Sequence, residues 1–289
     1  MKFFHPRFKI TVVLLSFFIL VACSKDSNDT APDPTFDFSP IEEIANFRGD
    51  LTSEIAVVYA QGGPEVFLDP NEINGVVTIT NTEDLLTVNV HQAQTLDPDI
   101  IAQGDIDFDE AIALDQISVE NLEDVIAYLH QSGKKVYLIG VSFGGFLVQK
   151  YLADYGTDSV VSILIVASRL NIQEGFWKGF STGQTGRFEA DGVDWSLTDQ
   201  NDPLDRNISR LAAGVGKNRY IDLFSNLTGL EKLTFVYSTK DDRIGTLDND
   251  EKTFLASKSV NLIPIEASHS ETVVMGVVRG YSEGFMLGN

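Results

Sequence analysis

Five residues, Gly140-Val141-Ser142-Phe143-Gly144, set a hydroxyl where nucleophilic attack is feasible. A serine is inert until its backbone presents it and a neighbouring base takes its proton. The apolar run Val136 to Ile139 leads into the motif, and Phe143 to Tyr155 leaves it with helical character, stopped by Gly156. Ser142 therefore falls on a strand-to-helix turn. Glycine two positions before and two after removes Cβ atoms that would collide there. The turn is also a helix N-terminus, whose free N–H groups favour negative charge developing beside the serine.

The chain offers few bases, only His5, His91, His130 and His269. His5 belongs to an N-terminal segment with the features of an export signal. His130 sits near the C-terminal end of a helix expected over 109–131, where a dipole role suffices. His91 follows a strand expected over 85–90 and is a candidate for a cleft edge. His269 follows another, Val260 to Ile265, across a short Glu266-Ala267-Ser268 loop, and opens a helix over 271–279. Upstream, the strand Leu233 to Tyr237 leads into Ser238-Thr239-Lys240-Asp241-Asp242-Arg243-Ile244-Gly245. Ser142, an acid at 241 or 242, and His269 thus each lie just past a strand's C-terminal end. An open parallel sheet builds its site there.

In these motifs the sequence resembles the α/β-hydrolase superfamily over about Glu54 to Gly280. The GVSFGG turn, the strand followed by STKDDRIG and the strand followed by ASHSE carry the resemblance. Gln61-Gly62-Gly63-Pro64, directly after the apolar strand Ile55 to Ala60, is a fourth feature. It looks like the HGGP loop of the proline-iminopeptidase-like branch, with Gln61 in place of histidine and Glu65 where that branch often has glycine. The resemblance implies Ser142 as nucleophile, His269 as base, and backbone N–H donors at Gly63 and Phe143 for an oxyanion. The family's spacing from acid to aliphatic to Gly or Pro favours Asp241 as the acid. Asp242 is then expected as a solvated turn residue with Arg243 as candidate partner. The family more often has glycine before its histidine, and this chain has the small Ser268.

The chain has 289 residues and 43% hydrophobic content, enough for one large α/β domain or two small ones. Its formal net charge of -21 argues against nucleic acid, which needs a basic stripe. No P-loop, dinucleotide fingerprint or metal-ligand spacing is present in the sequence, so no cofactor is implied. Lys2, Arg7 and Lys9 precede an apolar run, Ile10 to Val21, of the length of a secretory signal. It ends Leu20-Val21-Ala22-Cys23, which resembles the bacterial lipoprotein box. Cys23 is the sole cysteine and is expected to carry acyl chains that anchor the chain to a membrane. Acidic residues close behind it lean the expected address toward the outer membrane. Residues 24–40, rich in Asp, Ser, Pro and Asn, read as a flexible tether.

The expected organisation is a signal peptide over 1–22, the lipidated cysteine and tether over 23–40, and an α/β-hydrolase domain over 41–289. Helices separating most of the expected strands imply a mostly parallel sheet covered on both faces. Little room is left after Ile41 for an opening antiparallel hairpin, so a strand is expected to be missing there. Residues 65–84 give no assignable helix signal. Residues 168–229 form an insertion carrying Phe176, Trp177, Phe180, Phe188, Trp195, Tyr220 and Phe224. The resemblance makes it a cap over the nucleophile, its aromatics divided between cap packing and a substrate pocket. The sequence thus points to a lipid-anchored serine hydrolase acting on a small-molecule ester or related acyl bond. A proline-iminopeptidase-like peptidase and a non-catalytic surface binding protein are the alternatives.

Overall fold

Along Ile55–Ala60, Val57 and Tyr59 face one side of the sheet and Ala56 and Val58 the other, and all four are buried. A strand buried on both faces needs no polar alternation, which explains the continuous apolar runs. The computed structural model describes residues 36–189 and 191–285. The expected signal peptide, His5 and Cys23 lie outside the described residues. The strands are β1 (Ala45–Arg48), β2 (Ile55–Ala60), β3 (Leu86–Val90), β4 (Lys135–Val141), β5 (Ser162–Val166), β6 (Gln184–Phe188), β7 (Trp195–Asp199), β8 (Leu233–Ser238) and β9 (Asn261–Ile265). The helices are α1 (Pro70–Thr80), α2 (Ala93–Leu96), α3 (Asp99–Ala102), α4 (Phe108–Gln131), α5 (Phe143–Tyr155), α6 (Glu174–Ser181), α7 (Pro203–Gly216), α8 (Tyr220–Leu223), α9 (Asn249–Ser257) and α10 (His269–Glu283).

Seven strands form the central sheet in the order β1-β3-β2-β4-β5-β8-β9, all parallel except β1. One apolar layer joins the sheet to α4, α5 and α7, and another joins its opposite face to α1 and α10. Reversal of strand order on either side of β2 and β4 opens the loops after β2 and β4 beside each other, which is where such sheets place ligands. Among the described residues no helix is long and apolar enough to cross a membrane.

Two expectations need correction, and a third holds in part. After Ile41 the described residues supply one short strand rather than a hairpin, β1, which pairs antiparallel with β3 from Ala45↔Val90 to Arg48↔Thr87. It is only four residues long and half polar, so alternation has no length over which to show. Residues 65–84 contain helix α1, started by Asp69 accepting from the Asn71 N–H with Pro70 in the first turn. Its Gly75 and its run Val76-Val77-Thr78-Ile79-Thr80 are weak helix formers, so burial of Ile73 and Val76 holds it instead. Packing also begins ahead of residue 41. Phe36 packs at a tilt on Phe38 and edge-on against Tyr128, Phe38 packs on Phe47, and the Lys134 ammonium lies 4.5 Å from the Phe36 ring centroid.

The cap lies between β5 and β8. Helices α6 and α7 pack on each other, and the antiparallel β6–β7 hairpin packs on α6. Phe188 and Trp195 close on Phe176 inside this layer, while Tyr220 and Phe224 stack together beneath α5.

Candidate active site

Ser142 links β4 to α5 with φ 51° and ψ −117°. A non-glycine residue held there costs about 1–3 kcal/mol, so the surroundings must enforce it. They do. The Ser142 N–H donates to the Val166 carbonyl at 2.9 Å. A Cβ on Gly140 would come within 2.6 Å of Val148 Cγ2, and one on Gly144 would overlap the carbonyl oxygens of Ala60 and Gln61. The two glycines of the motif are therefore steric requirements of β2, β4 and α5 meeting at one point.

Ser142 Oγ lies 2.9 Å from His269 Nε2, and His269 Nδ1 lies 2.8 Å from Asp241 Oδ2. Asp241 is 1% exposed, and its Oδ1 accepts the N–H groups of Arg243 and Ile244, both at 2.9 Å. Of the two candidate acids, Asp241 is the one whose carboxylate lies against the His269 ring. Asp242 differs from the solvated turn residue expected. Its Oδ1 accepts the backbone N–H of His269 at 3.1 Å, and its nearest cation is Arg187 at 3.9 Å, not Arg243. Ser268, where glycine is more usual, is the N-cap of α10 and exchanges hydrogen bonds with Glu271. The capping box fixes the helix end that carries His269.

Gly63 and Phe143 border the same cavity as Ser142, and neither N–H has an acceptor among the described residues. Gly63 has φ +126°, and a Cβ there would overlap the Glu65 backbone nitrogen. Gln61, at the position of the family's histidine, is fully buried and braces this loop. Its Nε2 donates to the Phe67 carbonyl at 2.8 Å, and its Oε1 accepts the Asp69 N–H at 2.9 Å. Glu72 was not singled out in the sequence, because no helix was legible around it. Its Oε1 accepts the Gly62 N–H at 2.9 Å and the Tyr59 hydroxyl, and it borders a cleft shared with Ser142 and His269. Burial, with Glu72 alongside, raises the Tyr59 phenol well above its ordinary pKa, keeping it a donor.

The acid turn has a second brace that sequence reasoning missed. Arg169 and Glu251 form an ion pair at 2.8 Å, 1% and 0% exposed. Arg169 also donates to the Ile244 carbonyl, while Glu251 accepts the N–H groups of Leu170 and Asn171. The pair thus ties the cap's entry strand-end to the loop that holds Asp241. Separated by 82 residues, it has no local signature.

Two further spaces meet at Ser142. An apolar cavity of about 50 Å³ lies under the cap between Phe143, Phe146, Ile172, Phe176, Trp177 and Phe180. A wider cleft of about 430 Å³, with a larger share of polar lining, opens on the histidine side, bordered by Glu65, Thr185, Ser209, Arg243, His269 and Ser270. Of the cap aromatics, Phe176, Trp177 and Phe180 therefore face the site. His91 does not border either space; its Nδ1 pairs with the Thr95 hydroxyl at 3.0 Å, and burial lowers its pKa. His130 closes the last turn of α4, as expected. Among the described residues no three His, Cys, Asp or Glu side chains gather as a metal site.

No family model and no curated protein matches the chain. Solved structures do. A lipase-esterase related protein from Clostridium acetobutylicum ATCC 824 aligns with TM-score 0.55 and 15% identity, over 83% of this chain and 98% of that one. The fold is that of the α/β-hydrolases. MGS-M2, an alpha/beta hydrolase enzyme from a Medee basin deep-sea metagenome library, aligns at 0.51 and 12% identity, covering 85% and 95%. A 1H-3-hydroxy-4-oxoquinoline 2,4-dioxygenase aligns as well, at 0.52 and 16% identity, covering 84% and 95%. One α/β-hydrolase scaffold thus spans hydrolases and a dioxygenase, so the reaction must be argued from the side chains.

Proposed function

We propose that the chain is a serine hydrolase that cleaves an ester or related acyl bond of a small molecule. The observation that carries this reading is the continuous relay from Ser142 Oγ through both nitrogens of His269 to Asp241 Oδ2, at 2.9 and 2.8 Å. With Asp241 on Nδ1–H, Nε2 is left as the acceptor for the serine proton. Ser142 Oγ attacks the carbonyl carbon as its proton passes to Nε2. The oxyanion forms against the N–H groups of Gly63 and Phe143, each worth about 3–4 kcal/mol in such a transition state. The intermediate collapses by breaking the bond to the leaving oxygen, which takes the proton from His269. Water then attacks the acyl-serine, giving its proton to Nε2, and the released Ser142 oxygen recovers it. The protein groups that pass the proton, Ser142 and His269, are already within hydrogen-bond reach of each other.

A fluorophosphonate probe on the soluble domain tests this reading. Wild type should be labelled at Ser142 and should turn over 4-nitrophenyl butyrate. Ser142→Ala should do neither while keeping its melting temperature. Undiminished turnover by the pure Ser142→Ala protein would refute the nucleophile.

The same reading places the protein at the bacterial envelope, lipid-anchored at Cys23 and oriented to the outer membrane. Its support is the sequence Leu20-Val21-Ala22-Cys23 after a short apolar run. Two or more acyl chains hold a protein stably on a membrane, whereas one is marginal. Mass spectrometry of the mature N-terminus should find acylated Cys23, and an unacylated N-terminus would exclude the anchor.

A further inference from the structure

Among the described arginines, an exposed guanidinium left without any protein partner beside the nucleophile stands out. Arg243 is such a cation. Every other arginine among the described residues has a protein oxygen as partner, for instance Arg169 on Glu251, Arg206 and Arg210 on Asp105, and Arg279 on Glu283. The Arg243 guanidinium has none among them, though its backbone is fixed by the N–H bond to Asp241 Oδ1. Its side chain borders the polar cleft that also contains Ser142 and His269. Ser270 borders the same cleft from the first turn of α10, and its N–H has no acceptor among the described residues. An arginine and a helix N-terminus both attract anions.

Which half of a substrate meets Arg243 follows from the proton path. His269 returns its proton to the leaving oxygen, so the leaving group must lie on the histidine side of Ser142. The cleft bordered by His269, Ser270 and Arg243 is that side. The apolar cavity between Phe146, Phe176 and Trp177 does not include His269, and is left for the acyl chain. Glu65 shares the cleft, and its pKa is raised by partial burial and by the carboxylates of Glu72 and Asp69.

We propose, resting on the hydrolase reading above, that the preferred substrate joins a short apolar acyl group to a leaving group bearing an anion, which Arg243 and the α10 N-terminus recognise. Butyrate esters of 2-nitrophenol and of 4-hydroxy-3-nitrobenzoic acid test it, both with the nitro group ortho to the ester oxygen and only the second with a carboxylate on its leaving group. The readout is the ratio of their kcat/KM values, so a general loss in a variant cancels. Wild type should favour the carboxylate ester by on the order of ten-fold, the lower end for a charged hydrogen bond because the cleft is open to solvent. Arg243→Gln should bring the ratio near one, Arg243→Lys should keep part of it, and raised salt should shrink it. Binding of the released 4-hydroxy-3-nitrobenzoate is titrated in parallel and should weaken by a similar factor in Arg243→Gln. A wild-type ratio near one, or a ratio and product affinity unmoved by Arg243→Gln, would overturn the assignment. Failure to hydrolyse either ester, with Arg243-dependent product binding intact, would instead refute the hydrolase reading and leave the anion site standing.

Discussion

Replacing Asp241 and Asp242 separately by Asn gives two isosteric changes one residue apart with very different expected outcomes. At Asp241 three donors converge on one carboxylate, the Arg243 and Ile244 N–H groups on Oδ1 and His269 Nδ1–H on Oδ2. Asparagine has one acceptor oxygen, and at a position 1% exposed no water can make up the difference. If that oxygen stays with the two backbone donors, the amide NH₂ faces His269. Nδ1 must then be the unprotonated nitrogen and Nε2 carries the hydrogen, so it no longer accepts from Ser142. If the amide flips, it opposes two N–H groups, at about 1–3 kcal/mol for each donor left buried without a partner. Both routes lose the productive tautomer, and the expected fall in kcat is about 10⁴-fold. At Asp242 the single hydrogen bond from the His269 N–H survives in asparagine. What goes is a 3.9 Å attraction to Arg187, whose side chain is 65% exposed, worth less than about 1 kcal/mol. The assay is kcat on 4-nitrophenyl butyrate with circular dichroism as a check on folding. A larger loss in Asp242→Asn than in Asp241→Asn would refute the reasoning.

Other outcomes follow from the packing around the site. Glu251→Ala leaves the Arg169 guanidinium buried without its counter-charge and strips the Leu170 and Asn171 N–H groups of their acceptor. It should destabilise by about 3–5 kcal/mol in urea unfolding, and a loss below about 1 kcal/mol would show the pair is solvated. Gly144→Ala drives a methyl into the Ala60 and Gln61 carbonyls, so fluorophosphonate labelling should vanish along with at least about 2 kcal/mol of stability. Asp115 is buried, and desolvation outweighs the Lys217 ammonium and the Val215 N–H in holding its pKa well above the usual value. Below the ordinary carboxylate pKa of about 4 folded and unfolded chains are both protonated, and as pH rises only the unfolded chain ionises, so stability falls. Asp115→Asn should therefore raise the melting temperature at neutral pH, by an amount that shrinks as pH drops toward about 4. A gain that does not change with pH would exclude the titration.

The parts of the site that were legible in the sequence all sit directly after long buried strands. A strand buried on both faces writes a continuous apolar run, and the polar residues that end it are conspicuous. Ser142, Asp241 and His269 are candidates for this reason, and the ends of β4, β8 and β9 bring the three side chains together. The parts that were not legible are held by partners distant in sequence. Helix α1 carries Glu72 to the oxyanion loop although its own residues are poor helix formers, because tertiary burial outweighs local propensity. Strand β1 is too short for its alternation to register, and Phe36 and Phe38 dock from a stretch whose composition is that of a tether.

Gln61 illustrates how one departure from a motif is absorbed. Family resemblance puts a histidine there, and its loss suggests a weakened oxyanion loop. The amide answers with a donor and an acceptor placed apart, and spans the loop by gripping the Phe67 carbonyl with one and the Asp69 N–H with the other. Its own carbonyl is held by Gln92 Nε2 at 3.0 Å. Glu72 fixes the next residue through the Gly62 N–H, so Gly63 is flanked by two anchored positions on its N-terminal side. Rigidity of the donor, rather than the identity of the side chain two residues before it, is what oxyanion stabilisation requires, since a preorganised N–H needs no reorganisation as charge develops. The substitution is thus compatible with hydrolysis. It moves the loop's support from a ring on one residue to a hydrogen-bonded brace reaching the start of α1.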